Sequence, residues 1–234
     1  MKSNLSIIIP ALNEEKNIRP LTNKIIKNLK KKKFEIIFVD DQSEDNSKVI
    51  LTNLSKKFKF FNPIFRKKNR DLTQSCFDGI KKAKYRNILI MDADLQHDPR
   101  YILKMLKLFD YNYDIVIGAR KLVYGKNKGL SEFRRFASVI LIFLFKVFDI
   151  NTSDPMSGFF LFKKEIYSNN KKFFFGKGFK ILADILVNSK TKLKTKDVFI
   201  DFKRRYESKS KMNYKILLIL IQFYLKSVLK KLFI

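Results

Sequence analysis

The sequence predicts an α/β fold built on an open, mostly parallel β-sheet with helices on both faces. Short apolar runs alternate with amphipathic stretches through the first 120 residues. The runs are almost continuously apolar, which is typical of strands that are covered on both faces. Acidic loops follow several of these runs, at the edge where open α/β sheets bind their ligands.

The individual elements follow from the spacing of apolar residues. Five strand-like runs precede residue 120, at 5–9, 34–39, 60–65, 87–91 and 114–118. Amphipathic stretches at helical spacing lie between them, at 18–29, 45–57 and 72–84. The second half predicts, in order, a helix at 131–148, a strand at 158–162, a helix at 179–189, a strand at 198–203, a basic linker at 204–211 and a helix at 214–233.

Composition limits the classes of protein and of site that the chain can form. The 234 residues include 50 Lys and Arg, 22 Asp and Glu, and one His, for a formal net charge of +28. Hydrophobic residues make up 46%, which supports a sizeable core and excludes a wholly disordered chain. The single Cys excludes a disulfide scaffold and a cysteine-based zinc site. With one His, a metal site would use mainly oxygen ligands, which favours magnesium or manganese.

The positive charge suits anionic partners such as lipid headgroups, phosphorylated substrates or nucleic acid. Lys, Asn, Ile and Phe are all abundant, so an AT-rich coding bias accounts for part of the excess. No signal-peptide core follows Met1. The most apolar segments, 136–145 and 216–225, are about half as long as the roughly 20 residues that a spanning helix needs. They can lie in a core or in a membrane interface.

Acidic residues cluster in the loops after the first, second and fourth strands. The first loop contains Asn13 and Glu14, the second begins with Asp40-Asp41, and the third is Asp92-Ala93-Asp94-Leu95-Gln96-His97. Because parallel strands bring these loops to one edge, they predict a metal and nucleotide site there.

Some residues near these loops have simpler interpretations. Asp45 can cap the helix that follows it. His97 is better suited to hydrogen bonding within its loop than to acting as a base, and Cys76 is expected in the core. A calcium-binding loop is excluded, because His97 and Leu103 occupy the positions that need Gly and Glu.

Six segments occur in a characteristic order: PALNE, VDDQSEDNS, MDADLQHDP, GAR, DPMSGFF and FKRRYESKSK. This set resembles the family-2 glycosyltransferases and, more narrowly, the polyprenol-phosphate (dolichol-phosphate) mannosyltransferase group. The resemblance covers roughly residues 5–212 and implies a GT-A-type, Rossmann-like sheet. The catalytic domain would then span 1–212, with a nucleotide-sugar half at about 1–120 and an acceptor half at about 121–212 that includes an interfacial helix near 131–148. Residues 213–234 would form a C-terminal amphipathic helix.

The resemblance also implies roles for particular residues. The donor nucleotide would be bound by Pro10, Ala11, Asn13, Glu14, Asp41 and Asp92. A divalent cation, Mg²⁺ or Mn²⁺, would be held by Asp92, Asp94 and Gln96. The phosphate of a lipid acceptor would be bound by Arg120, Arg134, Ser138 and Arg205. The residues expected to act in catalysis are Asp94, Arg120, Arg134 and Arg205.

Three positions depart from the pattern of this group. Ser208 stands where Gly is usual, which implies a less mobile loop. Asp71 opens DLTQS where many relatives have Gly-Leu-Gly, so sugar recognition nearby can differ. Asp184 stands where Glu is common, and the shorter acid changes its reach or role.

The implied reaction is the transfer of a hexose, with inversion, from a GDP- or UDP-linked sugar to a polyprenyl (dolichyl or undecaprenyl) phosphate. A phosphate monoester is already anionic at neutral pH, so its oxygen needs no dedicated general base. The enzyme would act as a peripheral or monotopic protein on the cytoplasmic face of the cell membrane, with no signal peptide and no spanning helix. Its apolar segments, bordered by Lys and Arg, suit anchoring against anionic headgroups.

Two other functions remain open from the sequence. A family-2 enzyme could instead glycosylate a saccharide hydroxyl in cell-envelope polysaccharide synthesis, with Asp184 as the candidate base. A basic nucleic-acid-binding protein is disfavoured, because acidic residues occupy the ligand edge and no recognition motif is present.

Overall fold

A computed structural model describes residues 4–120, 148–178, 181–202 and 214–232. Within these ranges seven strands form one sheet. They are β1 (Leu5–Ala11), β2 (Phe34–Asp40), β3 (Ile64–Phe65), β4 (Asn87–Ile90), β5 (Ile115–Arg120), β6 (Phe160–Lys163) and β7 (Thr195–Ile200). Their spatial order is β3-β2-β1-β4-β6-β5-β7. Only β6 among them is antiparallel to its neighbours, β4 and β5, so the predicted open, mostly parallel sheet is confirmed.

Seven helices accompany the sheet in the described part of the chain. They are α1 (Glu15–Leu29), α2 (Ser47–Lys57), α3 (Leu72–Lys82), α4 (Tyr101–Phe109), α5 (Lys164–Asn170), α6 (Ile181–Asn188) and α7 (Tyr214–Leu232). The helix predicted at 131–148, apart from Phe148, and the basic linker at 204–211 lie outside the described residues.

The sheet has a hydrophobic layer on each face, as its continuously apolar strands predict. In β1, Ile7 and Ile9 belong to one layer and Ile8 to the other. The first layer packs against α1, α2 and α4, and the second packs against α3, α5 and α6. Cys76 is buried in the second layer, so its predicted place in the core is confirmed, and burial raises the pKa of its thiol.

Four elements differ from the sequence prediction. The strand predicted at 198–203 lies three residues earlier, at Thr195–Ile200. The strand predicted at 60–65 is reduced to Ile64–Phe65 and an isolated bridge between Phe61 and Ile36. Pro63 lies between these two contacts and has no N–H to continue the ladder. The helices α4 and α5 were not predicted. The seven residues of α5 are too few to establish a helical period.

The C-terminal helix α7 has two different faces. Phe223 and Ser227 are buried against the body of the protein, and the Phe223 ring lies 5.6 Å from that of Phe175. The opposite face exposes four large apolar side chains, here called the apolar stripe: Leu218, Ile221, Leu225 and Leu229. The lysines of this helix are expected to meet lipid headgroups. In the structure the ammonium groups of Lys226 and Lys230 lie 5.5 Å and 5.2 Å from the ring centres of two phenylalanines of the body, Phe175 and Phe173.

A helix that crosses a bilayer must be both long and apolar. None of the helices within 4–120, 148–178, 181–202 and 214–232 is both long and apolar enough to span a membrane.

Candidate active site

The loops after β1 and β2 are hydrogen-bonded to each other at the carboxyl edge of the sheet. Asn13 has a positive φ of 53°, and its backbone N–H donates to Ser43 Oγ at 2.8 Å. Its side-chain oxygen accepts from the Glu44 N–H at 2.8 Å, and the Glu14 N–H donates to Ser47 Oγ. Pro10 and Ala11 end β1 beneath these loops. The predicted donor residues of the first loop therefore have a fixed backbone.

Asp45 has the helix-capping role that was predicted for it. Its Oδ1 accepts from the Ser47 N–H at the start of α2 at 2.9 Å, and its Oδ2 accepts from the Glu15 N–H at the start of α1 at 3.0 Å. Partial burial is the largest single influence and acts to raise the pKa of its carboxyl. The hydrogen bonds together outweigh burial, so the pKa is lowered. One carboxylate thus fastens the starts of two helices.

Asp41 is held by a buried arginine that the sequence analysis did not single out. Arg66 donates through Nη1 to Asp41 Oδ1 and through Nε to Asp78 Oδ2 at 3.0 Å. The Asp71 N–H donates to Asp41 Oδ2 at 2.8 Å. Burial raises the pKa of the Asp41 carboxyl, and the charge of Arg66 partly offsets this rise.

The loop after β4 carries the predicted metal ligands. The Asp94 and Gln96 side chains are buried, whereas that of Asp92 is 37% exposed. Leu95 between them has a φ of 62°, a conformation that is rare for a leucine and typical of functional loops. Asp94 Oδ1 accepts the N–H of Gln96 at 3.1 Å, which keeps the loop tight.

His97 lies beneath this loop. Its ring is 5.3 Å from Phe159 and 5.2 Å from Phe202, and its Nδ1 is 3.7 Å from Asp92 Oδ2. The side chain is 2% exposed. A stacked, buried imidazole is consistent with the predicted supporting role and is poorly placed for a general base.

The turn before β6 contacts the same loop. A Cβ at position 158 would collide with the carboxylate of Asp92, so only glycine allows this close approach. Ser157 Oγ donates to the Gly118 carbonyl at 2.7 Å, which joins the turn to β5. The DPMSGFF segment thus contributes directly to the shape of the site.

Arg120 ends β5 at this edge and is paired with the same turn. Its Nε and Nη2 each donate to the Asp154 carboxylate at 2.7 Å, and Asp154 is fully buried. Burial acts to lower the pKa of Arg120, but the charge and hydrogen bonds of Asp154 outweigh it, with a further contribution from Asp92, so the pKa rises. The guanidinium therefore stays charged near the predicted metal ligands.

The donor atoms of the third loop suit a hard divalent cation. Two carboxylates and an amide oxygen, from Asp92, Asp94 and Gln96, are ligands that Mg²⁺ and Mn²⁺ accept. Within the described ranges no three His, Cys, Asp or Glu side chains converge into a complete metal site. The chemistry of the three side chains fits a hard divalent cation.

Asp184 does not have the accessible position that a catalytic base needs. It is 3% exposed, and its two oxygens accept from the N–H groups of Phe175 at 2.9 Å and Gly176 at 2.8 Å. Asn188 donates to Oδ1 as well, also at 2.9 Å. Burial raises the pKa of this carboxyl, although these hydrogen bonds oppose the rise. The carboxylate anchors the 175–178 loop.

Asp71 also departs from the pattern of the group, and both of its carboxylate oxygens accept hydrogen bonds. It caps α3 by accepting the Gln74 N–H at 2.9 Å and accepts the Gly178 N–H at 2.8 Å. It therefore ties the 175–178 loop to the start of α3, close to Asp41.

The structure describes only part of the predicted site. Asp41, Asp92, Asp94, Gln96 and Arg120 lie at one edge of the sheet. Three predicted acceptor residues, Arg134, Ser138 and Arg205, and the departure at Ser208, lie outside the described residues. The residues that sequence reasoning missed are Arg66, Asp154, Gly158 and Phe202. Asp154 and Gly158 fall in the DPMSGFF segment, which was the available signal, whereas Arg66 lies in no recognised segment.

The sequence profile described as Glycosyl transferase family 2 matches residues 6–170. The chain belongs to this family. It is 35% identical over 216 residues to the dolichol-phosphate mannosyltransferase of Pyrococcus furiosus, covering 90% of this chain but 60% of that protein. It is 31% identical over 231 residues to the dolichol-phosphate mannosyltransferase of Saccharomyces cerevisiae, covering 95% of this chain and 86% of that protein. The chain is therefore a family-2 glycosyltransferase.

Solved structures agree with this assignment at the level of the fold. A glucosyl-3-phosphoglycerate synthase from Mycobacterium tuberculosis, in complex with phosphoglyceric acid, superposes with a TM-score of 0.71 at 14% identity, over 96% of this glycosyltransferase and 80% of that chain. The same enzyme in complex with Mn²⁺, uridine-diphosphate and glucosyl-3-phosphoglycerate gives a TM-score of 0.70 at 15% identity, over 97% and 79%. The sheet is thus of the GT-A type.

Proposed function

We propose that this family-2 glycosyltransferase moves a hexose from a nucleoside-diphosphate sugar to a polyprenyl phosphate at a membrane surface. The relatives named as dolichol-phosphate mannosyltransferases support this acceptor class. The neighbouring structure bound to Mn²⁺ and uridine-diphosphate supports a metal-assisted nucleotide-sugar donor. The donor is a UDP- or GDP-linked sugar.

In the proposed reaction an oxygen of the acceptor phosphate attacks the anomeric carbon of the donor sugar. The bond from that carbon to the donor diphosphate breaks on the opposite face, and the nucleoside diphosphate leaves with the bonding electrons. Donor residues of the first two loops, including Asn13, Glu14 and Asp41, would bind the nucleotide. Arg120, together with Arg134, Ser138 and Arg205, would hold the acceptor phosphate and reduce its repulsion from the donor.

A divalent cation fits the side chains of Asp92, Asp94 and Gln96. When bound, it would neutralise negative charge on the donor diphosphate and so assist its departure. The two carboxylates would act on the donor only through this cation, because alone they would repel the diphosphate.

The burial of Asp184 is the observation that favours a phosphate acceptor over a sugar hydroxyl. Transfer to a sugar hydroxyl needs a base within hydrogen-bond reach of the acceptor. Asp184, the candidate base, is 3% exposed and accepts two backbone N–H groups. A phosphate acceptor needs no such group, which favours it over a saccharide hydroxyl.

The apolar stripe of α7 supports action at a membrane surface. Leu218 and Leu225 are 55% and 54% exposed, so the stripe is open to contact with acyl chains. The net charge of +28 favours anionic headgroups. We place the enzyme as a peripheral protein on the cytoplasmic face of the cell membrane.

A screen of UDP- and GDP-linked hexoses against polyprenyl phosphate tests the proposal, with Mn²⁺, Mg²⁺ or a chelator. The expected result is transfer from one nucleotide-sugar to the lipid phosphate, lost in chelator. Transfer to a soluble saccharide with none to the lipid phosphate would overturn the proposal in favour of the hydroxyl acceptor.

A further inference from the structure

We propose that Asp154 is a positioning residue that fixes which side of the Arg120 guanidinium is offered to the acceptor phosphate. This inference rests on the proposed function, in which Arg120 binds that phosphate. Asp154 would not touch the substrate itself; it would act through Arg120.

The pairing of the two side chains uses one defined edge of the guanidinium. Nε and Nη2 of Arg120 donate to the two different oxygens of Asp154, both at 2.7 Å. The backbone N–H of Arg120 donates to Asp154 Oδ2 as well, at 3.1 Å. A guanidinium has five N–H groups in a rigid plane, so a fork on one edge determines where the others point.

The remaining donors suit a phosphate. Among the residues that the structure describes, Nη1 of Arg120 has no hydrogen-bond partner. Its two N–H groups and the second one on Nη2 form another edge with the spacing that phosphate oxygens accept. The side chain is 10% exposed, so only a small part of it is open to a ligand.

Asp154 is itself held rigidly. Its N–H donates to Thr152 Oγ1 at 3.2 Å, and that hydroxyl donates to Asp197 Oδ1 on β7 at 2.6 Å. Ser153 adds two hydrogen bonds to Asp197 Oδ2, from its N–H at 2.8 Å and its hydroxyl at 2.6 Å. The backbone that carries the Asp154 carboxylate is thus fastened to β7.

An aromatic ring lies against the same guanidinium. The central carbon of the guanidinium lies 5.4 Å from the centre of the Phe202 ring. Asp154 determines which edge of the guanidinium is used, and Phe202 takes up space beside the group. Without the carboxylate, a long arginine side chain would regain rotamer freedom and present its donors less often in the required direction.

A double-mutant cycle on acceptor kinetics tests this role. The four proteins are the wild type, Arg120→Gln, Asp154→Asn and the double variant, with citronellyl phosphate, a short isoprenyl phosphate, as acceptor. We expect Asp154→Asn to raise the acceptor KM about tenfold or more, as for loss of one charge-assisted hydrogen bond, with the donor KM unchanged. In the Arg120→Gln background the same substitution should add nothing, because the group through which it acts is gone.

Controls separate positioning from folding. Asp149→Asn removes an exposed surface carboxylate that pairs with Lys192 and should leave both KM values unchanged. Thermal melting of all variants detects unfolding. If Asp154→Asn does not fold because it leaves Arg120 charged and unpaired, Asp154→Glu takes its place in the cycle, since it keeps the carboxylate but moves it relative to the guanidinium, and it should raise the acceptor KM in the same way.

The outcomes are distinct. A raised acceptor KM in the single Asp154 variant, together with equal acceptor KM values for Arg120→Gln and the double variant, supports the positioning role. A further loss in the double variant, or an unchanged acceptor KM in a folded Asp154→Asn protein, overturns it while the proposed function stands. If the wild type transfers no sugar to citronellyl phosphate or to longer polyprenyl phosphates, the proposed function fails and this role fails with it.

Discussion

At the scale of single residues, two arginines, Arg66 (buried) and Arg120 (10% exposed), organise the carboxylates of the site. Arg66 holds Asp41 from below, and Arg120 is held by Asp154. Charge-assisted hydrogen bonds of this kind are strong when water is excluded, and the planar fork of the guanidinium fixes their direction. Each pair therefore sets the position of a side chain at the ligand edge before any substrate binds.

Replacing a predicted metal ligand should affect turnover far more than folding. We expect Asp92→Asn and Asp94→Asn each to reduce turnover about 100-fold or more, since a bound cation contributes several kcal/mol to stabilising a developing negative charge. Manganese titration of initial rates measures the effect, and thermal melting checks the fold. Full activity of both variants in the presence of a chelator would remove the metal from the account.

The buried carboxyl of Asp184 predicts a pH dependence of stability. Its pKa in the folded protein is raised from the ordinary value of 3.8 by burial, so the folded state binds the proton more tightly than the unfolded state does. The unfolding free energy should therefore fall as the pH rises from about 4 through the raised value. Urea unfolding over this pH range measures it. Asp184→Asn should lack this component of the fall, and parallel wild-type and variant curves would contradict the assignment.

The acidic residues of the site were predictable from sequence, and their partners were not. Asp41, Asp92 and Asp94 follow strands, and the strand-end rule places them at the ligand edge. Arg66 meets Asp41 from 25 positions further along the chain, and Asp154 meets Arg120 from 34 positions further. Such pairs depend on how the loops pack in three dimensions, which local sequence patterns do not contain.

At the scale of elements, α7 packs against the body of the protein with one face and exposes apolar side chains on the other. Its inner face packs through Phe223, and Gly178 approaches it so closely that a Cβ there would lie 2.8 Å from Ile219 Cγ2. Because Gly178 is also bonded to Asp71, the helix rests on a loop that is tied to the start of α3. The inner face is thereby fixed, and the apolar stripe remains on the outside.

Polar substitutions in the apolar stripe should weaken membrane binding without loss of stability. We expect Leu225→Gln with Leu229→Gln to reduce co-sedimentation with anionic vesicles about tenfold or more, since burying a leucine contributes about 1.5–3 kcal/mol. Leu103→Gln on α4, at a leucine that is 42% exposed, is the matched control. If the double variant and the control sediment equally, the stripe does not contact the membrane.

The elements that sequence predicted are those with strong periodicity. The strands β1, β2, β4 and β5 were found within two residues at each end, because their apolar runs are continuous. The direction of β6 was not predicted, since an antiparallel partner has the same local pattern as a parallel one. The helix α4 could have been predicted, because its buried residues Ile102, Met105, Leu106 and Phe109 have helical spacing.

At the scale of the whole molecule, negative and positive charges lie in different places. The chain carries a net charge of +28, yet the ligand edge of the sheet gathers Asp41, Asp92 and Asp94. Such a distribution fits an enzyme that holds a cation with its donor while the rest of its surface attracts anionic lipid. Binding to anionic vesicles should consequently weaken as salt is raised, because exposed charges are screened.

The central claim is that the acceptor atom is a phosphate oxygen, which reacts without a protein base. The most direct measurement compares polyprenyl phosphate with the corresponding polyprenol, which has the same chain but ends in a hydroxyl, using the donor sugar found in the screen. The account predicts sugar transfer to the phosphate and none to the alcohol. Comparable transfer to the alcohol, or to a saccharide hydroxyl in place of the lipid phosphate, would contradict it.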